Sequence, residues 1–143
     1  MVTIKVKRLT ETAKLPTKAT SGSAGWDIYA DKFEKVNWDN TFIIKIGTGL
    51  AFEIPQGFEI QVRPRSGLSK KGVVAVLGTI DSDYRGEVCV LLDASRVMEK
   101  TAINYGDRIA QLVIQKIPEV EFNEVTELTE TERGAGGFGS TGK

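Results

Sequence analysis

The stretch FEIQVR, residues 58–63, alternates an apolar with a polar side chain over its whole length. Successive side chains of a β-strand point to opposite faces, so this alternation predicts a strand with one buried and one polar face. The same period of two returns in LAFEI, residues 50–54. Further strands are predicted at residues 4–6, 42–46, 73–77, 88–92, 109–114 and 120–125. Gly, Pro, Asn and Asp separate these runs at short intervals, which indicates an all-β protein, a distorted jelly-roll-like barrel or sandwich.

Helix is a minor component of the predicted fold. One short helix is expected at residues 66–71, where Ser66 would act as the N-cap before Gly67 and Leu68. Residues 97–100 are a weaker helical candidate. Neither segment is long enough to dominate the structure.

Length and composition exclude several classes of protein. The 143 residues suit one domain, and 19 Lys and Arg balance 19 Asp and Glu, which disfavours nucleic acid as a partner. The longest apolar runs, 73–77 and 88–92, are too short to span a bilayer. The first ten residues lack the apolar run of a secretory signal, so we expect a cytoplasmic protein without membrane association.

The side chains available for catalysis are restricted as well. The chain has 0 histidines and 1 cysteine, which excludes disulfides, Cys/His zinc sites and any imidazole base. Proton transfer would therefore rely on a carboxylate, Tyr or Lys. An Asp with the ordinary pKa of about 3.9 is ionised at neutral pH and can accept a proton.

The C-terminal tail, residues 129–143, is rich in glycine. Residues 132–143 hold five of the 15 glycines and one large apolar side chain, Phe138. Burial of so little apolar surface cannot offset the entropy of ordering, so we expect a single domain with a β core at 1–128 and a flexible tail at 129–143. The tail is either an unstructured end or a lid that orders on an anionic ligand. Its last residues, GFGSTGK, resemble a P-loop but lack the strand and helix that flank one.

Three internal clusters carry polar chemistry that is unusual for a sheet. Arg65, Ser66 and Gly67 combine a guanidinium, a hydroxyl and a helix start, which suits a phosphate but also a solvated strand end. Residues 77–88, LGTIDSDYRGEV, are expected to form a hairpin with two carboxylates on one face, which indicates a cation site, a proton acceptor or merely a polar turn. Gln111 interrupts an apolar strand, as an ordinary outward-facing residue also would.

Five motifs occur in a characteristic order: AGWDIYA at 24–30, PRSGLSKKG at 64–72, GTIDSDYRGEV at 78–88, GDRIAQLVI at 106–114 and RGAGGFGSTG at 133–142. Over nearly its whole length the chain resembles the homotrimeric deoxyuridine triphosphatase (dUTPase) family. The resemblance implies a jelly-roll-like subunit, a homotrimer with active sites shared between subunits, and magnesium-dependent hydrolysis of dUTP to dUMP and pyrophosphate. Such an activity limits uracil incorporation into DNA and supplies dUMP for dTMP synthesis.

The resemblance also implies roles for individual residues. Asp81 matches the family's base, which activates the water that attacks the α-phosphorus. Asp27 matches a carboxylate that acts on the metal only indirectly, since Mg2+ is held by the triphosphate and water with no direct protein ligand. The remaining matches are substrate-binding: Arg65, Ser66, Gly67 and Gln111 on the phosphates, Gly78, Thr79 and Ile80 on uracil, Tyr84 under the deoxyribose, Arg133 on the γ-phosphate, Phe138 over uracil, and Gly139, Ser140 and Thr141 in the closing loop.

Two other functions compete with this interpretation. The related dCTP deaminases share the fold and phosphate motifs, but they need a glutamate placed for attack on the base and typically lack the glycine-rich tail. A non-enzymatic module that senses a nucleotide and contacts a protein is the second. The IDSDYRG segment and the tail disfavour the first, and the lack of a large insertion disfavours the second.

Overall fold

The computed structural model describes residues 1–34, 43–95 and 103–137, which form ten strands and one short helix. The strands are β1 (Lys5–Arg8), β2 (Trp26–Tyr29), β3 (Lys32–Glu34), β4 (Ile43–Gly47), β5 (Leu50–Glu53), β6 (Phe58–Arg63), β7 (Val74–Ala75), β8 (Gly78–Ile80), β9 (Cys89–Asp93) and β10 (Arg108–Lys116); the helix is α1 (Ser66–Ser69). The predicted all-β, jelly-roll-like fold is confirmed. Its sheets do not close into a barrel within the described residues.

Two four-stranded sheets enclose the core. The first has the order β2-β10-β6-β8 and the second β3-β4-β9-β7, while β1 and β5 form a separate pair. Every pairing is antiparallel. Buried side chains of both sheets join one cluster, for example Ile60 and Val62 from β6 with Val90 and Leu92 from β9. Polar residues alternate with the buried ones along β6, as the sequence pattern predicts.

The strand predicted at residues 120–125 is wrong. These residues adopt no strand, and Phe122 within them is 97% exposed. The apolar-polar alternation holds only from Val120 to Asn123, and a strand also needs a partner edge to accept its backbone hydrogen bonds. The chain leaves β10 at Lys116 and passes through Pro118, after which no described residue pairs with it. Part of the strand predicted at 42–46 and the helix at 97–100 lie outside the described residues.

The helix is shorter than predicted and is capped differently. α1 ends at Ser69, and its N-cap is the extended Arg65, which offers no side-chain hydrogen bond. Ser66 is therefore the first helical residue and is not the cap, because the chain bends one position earlier than the Ser signal indicates. Gly72, with φ of +83°, then turns the chain toward β7. No helix among the described residues has the length and apolar character needed to cross a bilayer.

The predicted hairpin at residues 77–88 is confirmed in its flanking strands, because the apolar runs at 73–77 and 88–92 contain β7 and β9, which pair antiparallel. Its connection is not a simple turn, since β8 within it pairs with β6 in one sheet, whereas β9 pairs with β4 and β7 in the other. Residues 81–88 therefore cross from one sheet to the other, and we call them the crossing loop. The apolar runs mark β7 and β9, but β8 is not among the predicted strands.

A buried carboxylate stabilises the region beside the core. The Asp31 side chain is 5% exposed and accepts hydrogen bonds from Tyr105 Oη at 2.6 Å and Thr10 Oγ1 at 2.7 Å. Desolvation by burial raises the pKa of Asp31, but the hydrogen bonds from Tyr105, Thr10 and Thr12 together with the charge of Lys32 outweigh it. The pKa of Asp31 is therefore held below its ordinary value, and the ionised form stabilises the folded state.

We expect Asp31→Asn to lower the free energy of unfolding at pH 7 by roughly 1–3 kcal/mol, because a hydroxyl donor loses its ionised acceptor. A lowered folded-state pKa gives a stabilisation that is complete above the unfolded-state pKa of about 3.9 and is lost as the pH falls through the folded value. Urea unfolding of both proteins from pH 3 to pH 7 checks this, with the exposed Asp83→Asn as control. If the difference in free energy of unfolding between wild type and Asp31→Asn stayed constant from pH 3 to pH 7, the lowered pKa of Asp31 would be contradicted.

Candidate active site

The crossing loop borders a cavity of about 610 Å³ between the two sheets. Gly78, Thr79 and Ile80 of β8 form part of its wall, and Asp81 and Tyr84 of the crossing loop form another part. The structure thus gathers five of the predicted site residues around one space. β8 is the outermost strand of its sheet and, among the strands that the structure describes, pairs with β6 alone, so no described strand covers its other edge, where a ligand could bind.

Asp81 presents its carboxylate at this cavity. The side chain is exposed, and it makes no hydrogen bond or ion pair with any residue in the described part of the chain. Its backbone carbonyl accepts the Tyr84 N–H at 3.2 Å, and Arg85 Nη1 donates to the Ser82 carbonyl at 2.7 Å. The loop backbone is therefore fixed from within, while the Asp81 carboxylate keeps its lone pairs for a water or a substrate.

Tyr84 presents its ring to the same cavity and is 45% exposed. Its hydroxyl donates to the Glu87 carbonyl at 3.0 Å. A Cβ at Gly86 would lie 2.6 Å from the Tyr84 Cζ, so the ring rests against backbone that only glycine can provide. The loop therefore holds the ring in one place at the cavity wall.

A second group, which we call the arginine cluster, comprises Asp27, Arg65, Arg108 and Gln111. The Asp27 side chain is 13% exposed, and its two oxygens lie 2.8 Å from Arg65 Nε and 3.2 Å from Arg108 Nη1. Arg65 Nη1 also donates to the Arg108 carbonyl at 3.1 Å. Two guanidinium groups thus share one carboxylate, which leaves an excess positive charge suited to an anion.

Gln111 joins this cluster from the centre of the sheet. It pairs with Asp27 on β2 and Arg63 on β6, and its amide Nε2 donates to the Pro64 carbonyl at 2.9 Å. A Cβ at Gly25 would lie 3.0 Å from the Gln111 Cδ, so glycine leaves room for this side chain. Ser66 and Gly67 follow Arg65 at the start of α1, and both are exposed.

The two groups are separate within one chain. Asp27 lies on β2 and Asp81 follows β8, and these are the two outer strands of the four-stranded sheet. Three inter-strand spacings of about 4.8 Å place the two strands roughly 14 Å apart. No side-chain hydrogen bond or ion pair among the described residues joins the arginine cluster to the cavity residues.

The described part of the tail, residues 129–137, makes no hydrogen bond or ion pair with either group. Arg133 is exposed, and its Nε donates to the Gly136 carbonyl at 2.9 Å inside the tail itself. The other hydrogen bonds of residues 132–137 also stay local, between Gly134 and Thr131 and between Gly136 and Arg133. Phe138, Gly139, Ser140 and Thr141 lie outside the described residues.

Sequence reasoning missed two participants in these groups. Arg108 is the first residue of β10, and from the sequence it resembles an ordinary exposed cation at the end of a strand. In the structure it is the second guanidinium group that binds Asp27. Glu87 lines the cavity from the end of the crossing loop. Each of the two residues lies inside one of the five motifs, and this position in a motif is the only sequence feature that indicates them.

Known proteins match this chain over nearly its whole length. Residues 11–142 match the family model described as dUTPase. The deoxyuridine 5'-triphosphate nucleotidohydrolase of Nautilia profundicola is 50% identical over 98% of this chain and 99% of its own, and that of Desulfotalea psychrophila is 50% identical over 94% and 91%.

Solved structures give the same result. The Staphylococcus bacteriophage 80alpha dUTPase with dUpNHpp covers 99% of both chains at 30% identity and a TM-score of 0.81. The dUTPase from phage phi11 of S. aureus is 26% identical, with a TM-score of 0.76, over 90% of this chain and 99% of its own. Since the family model spans most of the sequence and relatives share half of its residues, this chain belongs to the dUTPase family.

Proposed function

We propose that this chain is a dUTP diphosphatase, which hydrolyses dUTP to dUMP and pyrophosphate. The observation that carries the proposal is the unpaired Asp81 carboxylate at a cavity walled by an open strand edge, in a chain with 0 histidines. The relatives are named as deoxyuridine 5'-triphosphate nucleotidohydrolases, and the phage 80alpha enzyme binds the analogue dUpNHpp. The activity would limit uracil incorporation into DNA and supply dUMP for dTMP synthesis.

Asp81 acts as the general base in this proposal. The carboxylate accepts a proton from a water, whose oxygen attacks the α-phosphorus of dUTP. A bond forms between that oxygen and the phosphorus, and the bond from the α-phosphorus to the bridging oxygen breaks, so pyrophosphate leaves. The carboxylate suits this role because it forms no ion pair with a described residue and faces the cavity.

β8 and Tyr84 supply the selectivity. The unpaired backbone edge of Gly78, Thr79 and Ile80 would pair with the uracil edge, and fixed backbone groups cannot exchange donor for acceptor when another base enters. A base with the wrong pattern leaves a buried group unpaired, at a cost of about 1–3 kcal/mol. The Tyr84 ring would pack under the deoxyribose, where a 2'-hydroxyl clashes.

The phosphates are assigned to the arginine cluster and the tail. Arg65, Ser66, Gly67 and Gln111 would bind the phosphate chain, and Arg133 would reach the γ-phosphate. In the tail, residues 129–143 act as the lid of a single domain whose core is 1–128, with Phe138 over uracil and Gly139, Ser140 and Thr141 closing the loop. Closure excludes bulk water and aligns the phosphates.

Magnesium is proposed to enter with the triphosphate. Both Asp27 oxygens bind guanidinium groups, so this carboxylate is placed to act on a metal only through water. No cluster of three or more His, Cys, Asp or Glu residues that could hold a metal occurs in residues 1–34, 43–95 and 103–137. A phage phi11 dUTPase variant has been described with a structural Mg(II) ion. When bound, the ion neutralises charge on the phosphates.

One assay separates the three candidate functions. The protein is incubated with dUTP, dCTP or dTTP plus Mg2+, and pyrophosphate, ammonia and binding are each measured. We expect pyrophosphate from dUTP alone. Ammonia from dCTP would identify a deaminase, and binding without any product would identify a non-enzymatic module; either result overturns the proposal.

We also propose a homotrimer, because Asp81 and Asp27 lie at opposite edges of one sheet and no hydrogen bond or ion pair among the described residues joins the cavity to the arginine cluster. The mass in solution should be three times the 15.6 kDa of the subunit. Asp81→Asn and Arg65→Ala chains should each be inactive alone, but mixed trimers should regain part of the activity if one site takes Asp81 and Arg65 from different chains. An inactive mixture of confirmed mixed trimers would contradict the shared site.

A further inference from the structure

Glu87 ties the crossing loop to a turn on the opposite sheet. Its Oε1 accepts the Gly49 N–H at 2.8 Å, a contact between residues 38 apart in sequence. We call residues 47–50 the supporting turn. A Cβ at Gly47 would lie 2.6 Å from the same Oε1, so the carboxylate lies directly against the backbone of this turn.

The neighbouring contacts hold the supporting turn and the loop end together. Thr48, 1% exposed, donates its hydroxyl to the Val88 carbonyl at 2.6 Å, and the Val88 N–H donates to the Leu50 carbonyl at 2.8 Å. The turn itself is fixed from behind, since the Asp31 N–H donates to the Gly47 carbonyl at 2.9 Å. The supporting turn is therefore a rigid base, and Glu87 is the side chain of the crossing loop that binds it.

Glu87 also contacts the ring that borders the cavity. Its backbone carbonyl accepts the Tyr84 hydroxyl at 3.0 Å, while its side chain is anchored on the Gly49 N–H. One residue thus joins the Tyr84 ring to the supporting turn. Asp81 has a different support, because it directly follows β8, which is paired with β6. Loss of the Glu87 side chain would therefore release the ring more than the Asp81 carboxylate.

We propose that Glu87 is a positioning residue for sugar selectivity, which holds Tyr84 where it discriminates deoxyribose from ribose. The inference rests on the proposed dUTP hydrolysis and deepens it. A ring displaced by about 1 Å costs on the order of 10²-fold in a well-aligned site. A partial release should therefore raise KM for dUTP and narrow the difference between dUTP and UTP, while kcat for dUTP stays nearly constant.

The experiment compares Glu87→Ala with Glu87→Gln, whose amide oxygen can still accept the Gly49 N–H. We expect the ratio of kcat/KM for dUTP over UTP to fall about 10-fold in Glu87→Ala through KM, and to stay near wild type in Glu87→Gln. Tyr84→Phe keeps the ring but loses the hydroxyl, so it should show a similar loss. The double variant Glu87→Ala/Tyr84→Phe should then be no worse than the poorer single variant. Glu119→Ala, at an exposed carboxylate outside the crossing loop, is the control.

Hydrogen exchange of the Gly49 amide gives a readout that does not depend on turnover. It should become faster in Glu87→Ala and remain slow in Glu87→Gln. Unchanged exchange in Glu87→Ala, or a fall in kcat with the dUTP to UTP ratio intact, overturns the inference. A wild-type protein that fails to hydrolyse dUTP overturns the proposed function instead, and the exchange result then still decides whether Glu87 holds the loop.

Discussion

Asp81→Asn is expected to lower kcat for dUTP by about 10²–10⁴-fold, the range that a positioned general base contributes. Asn has the shape of Asp but cannot take a proton from water under these conditions. Asp81 lines the cavity without any partner among the described residues, so the substitution removes no contact that supports the fold. Binding should therefore survive while turnover is lost.

Asp83→Asn is the matched control for this experiment. Asp83 lies two residues further along the same loop and is exposed, but it is not part of the cavity wall. Steady-state hydrolysis of dUTP gives kcat, and calorimetry with dUpNHpp gives the affinity. Wild-type rates in Asp81→Asn would remove Asp81 from the role of base, and equal losses in both variants would point to a general effect on the loop.

The fold could be predicted where the burial pattern is local. β6 matches residues 58–63 at both ends, because its alternation coincides with a strand that has pairing partners on both sides. Residues 120–125 alternate only as far as Asn123 and have no partner edge among the described residues, and they are not a strand. β2 is missing from the predicted strands, because its four residues lie in a glycine-bearing segment, 21–30, that does not resemble core. Alternation indicates which side chains can be buried. Whether a strand forms also depends on a neighbouring strand that can accept its backbone hydrogen bonds.

The site was predictable as a set of residues but not as an arrangement. The structure places Asp81 and Tyr84 at one cavity and Arg65 in a charge cluster, and the roles that the motifs give them stay predictions. The motifs did not reveal that the crossing loop joins two sheets, nor that Glu87 reaches Gly49 across 38 residues of sequence. Long-range partners of this kind depend on tertiary packing, which a single sequence does not display.

Ending the chain at Thr131 is expected to lower kcat/KM for dUTP by on the order of 10²-fold or more, because the lid would no longer align the phosphates. The fold should survive. The described tail residues 132–137 hydrogen-bond only within residues 131–136 and are mostly exposed, so removing them breaks no described hydrogen bond to the core. Thermal unfolding of the truncated and complete chains checks this, and the two midpoints should agree.

Arg133→Ala in the complete chain measures how much of the tail's contribution to activity comes from the Arg133 charge and how much from closure of the glycine-rich segment. If Arg133 binds the γ-phosphate, the variant should show part of the fall in kcat/KM for dUTP that truncation causes. This fall should be smaller at high salt, because ions screen an exposed guanidinium. The remainder of the effect belongs to the glycine-rich segment that follows. Full activity in the truncated chain would refute the lid, whereas a lowered unfolding midpoint would show that the tail is part of the folded core and not a closing segment.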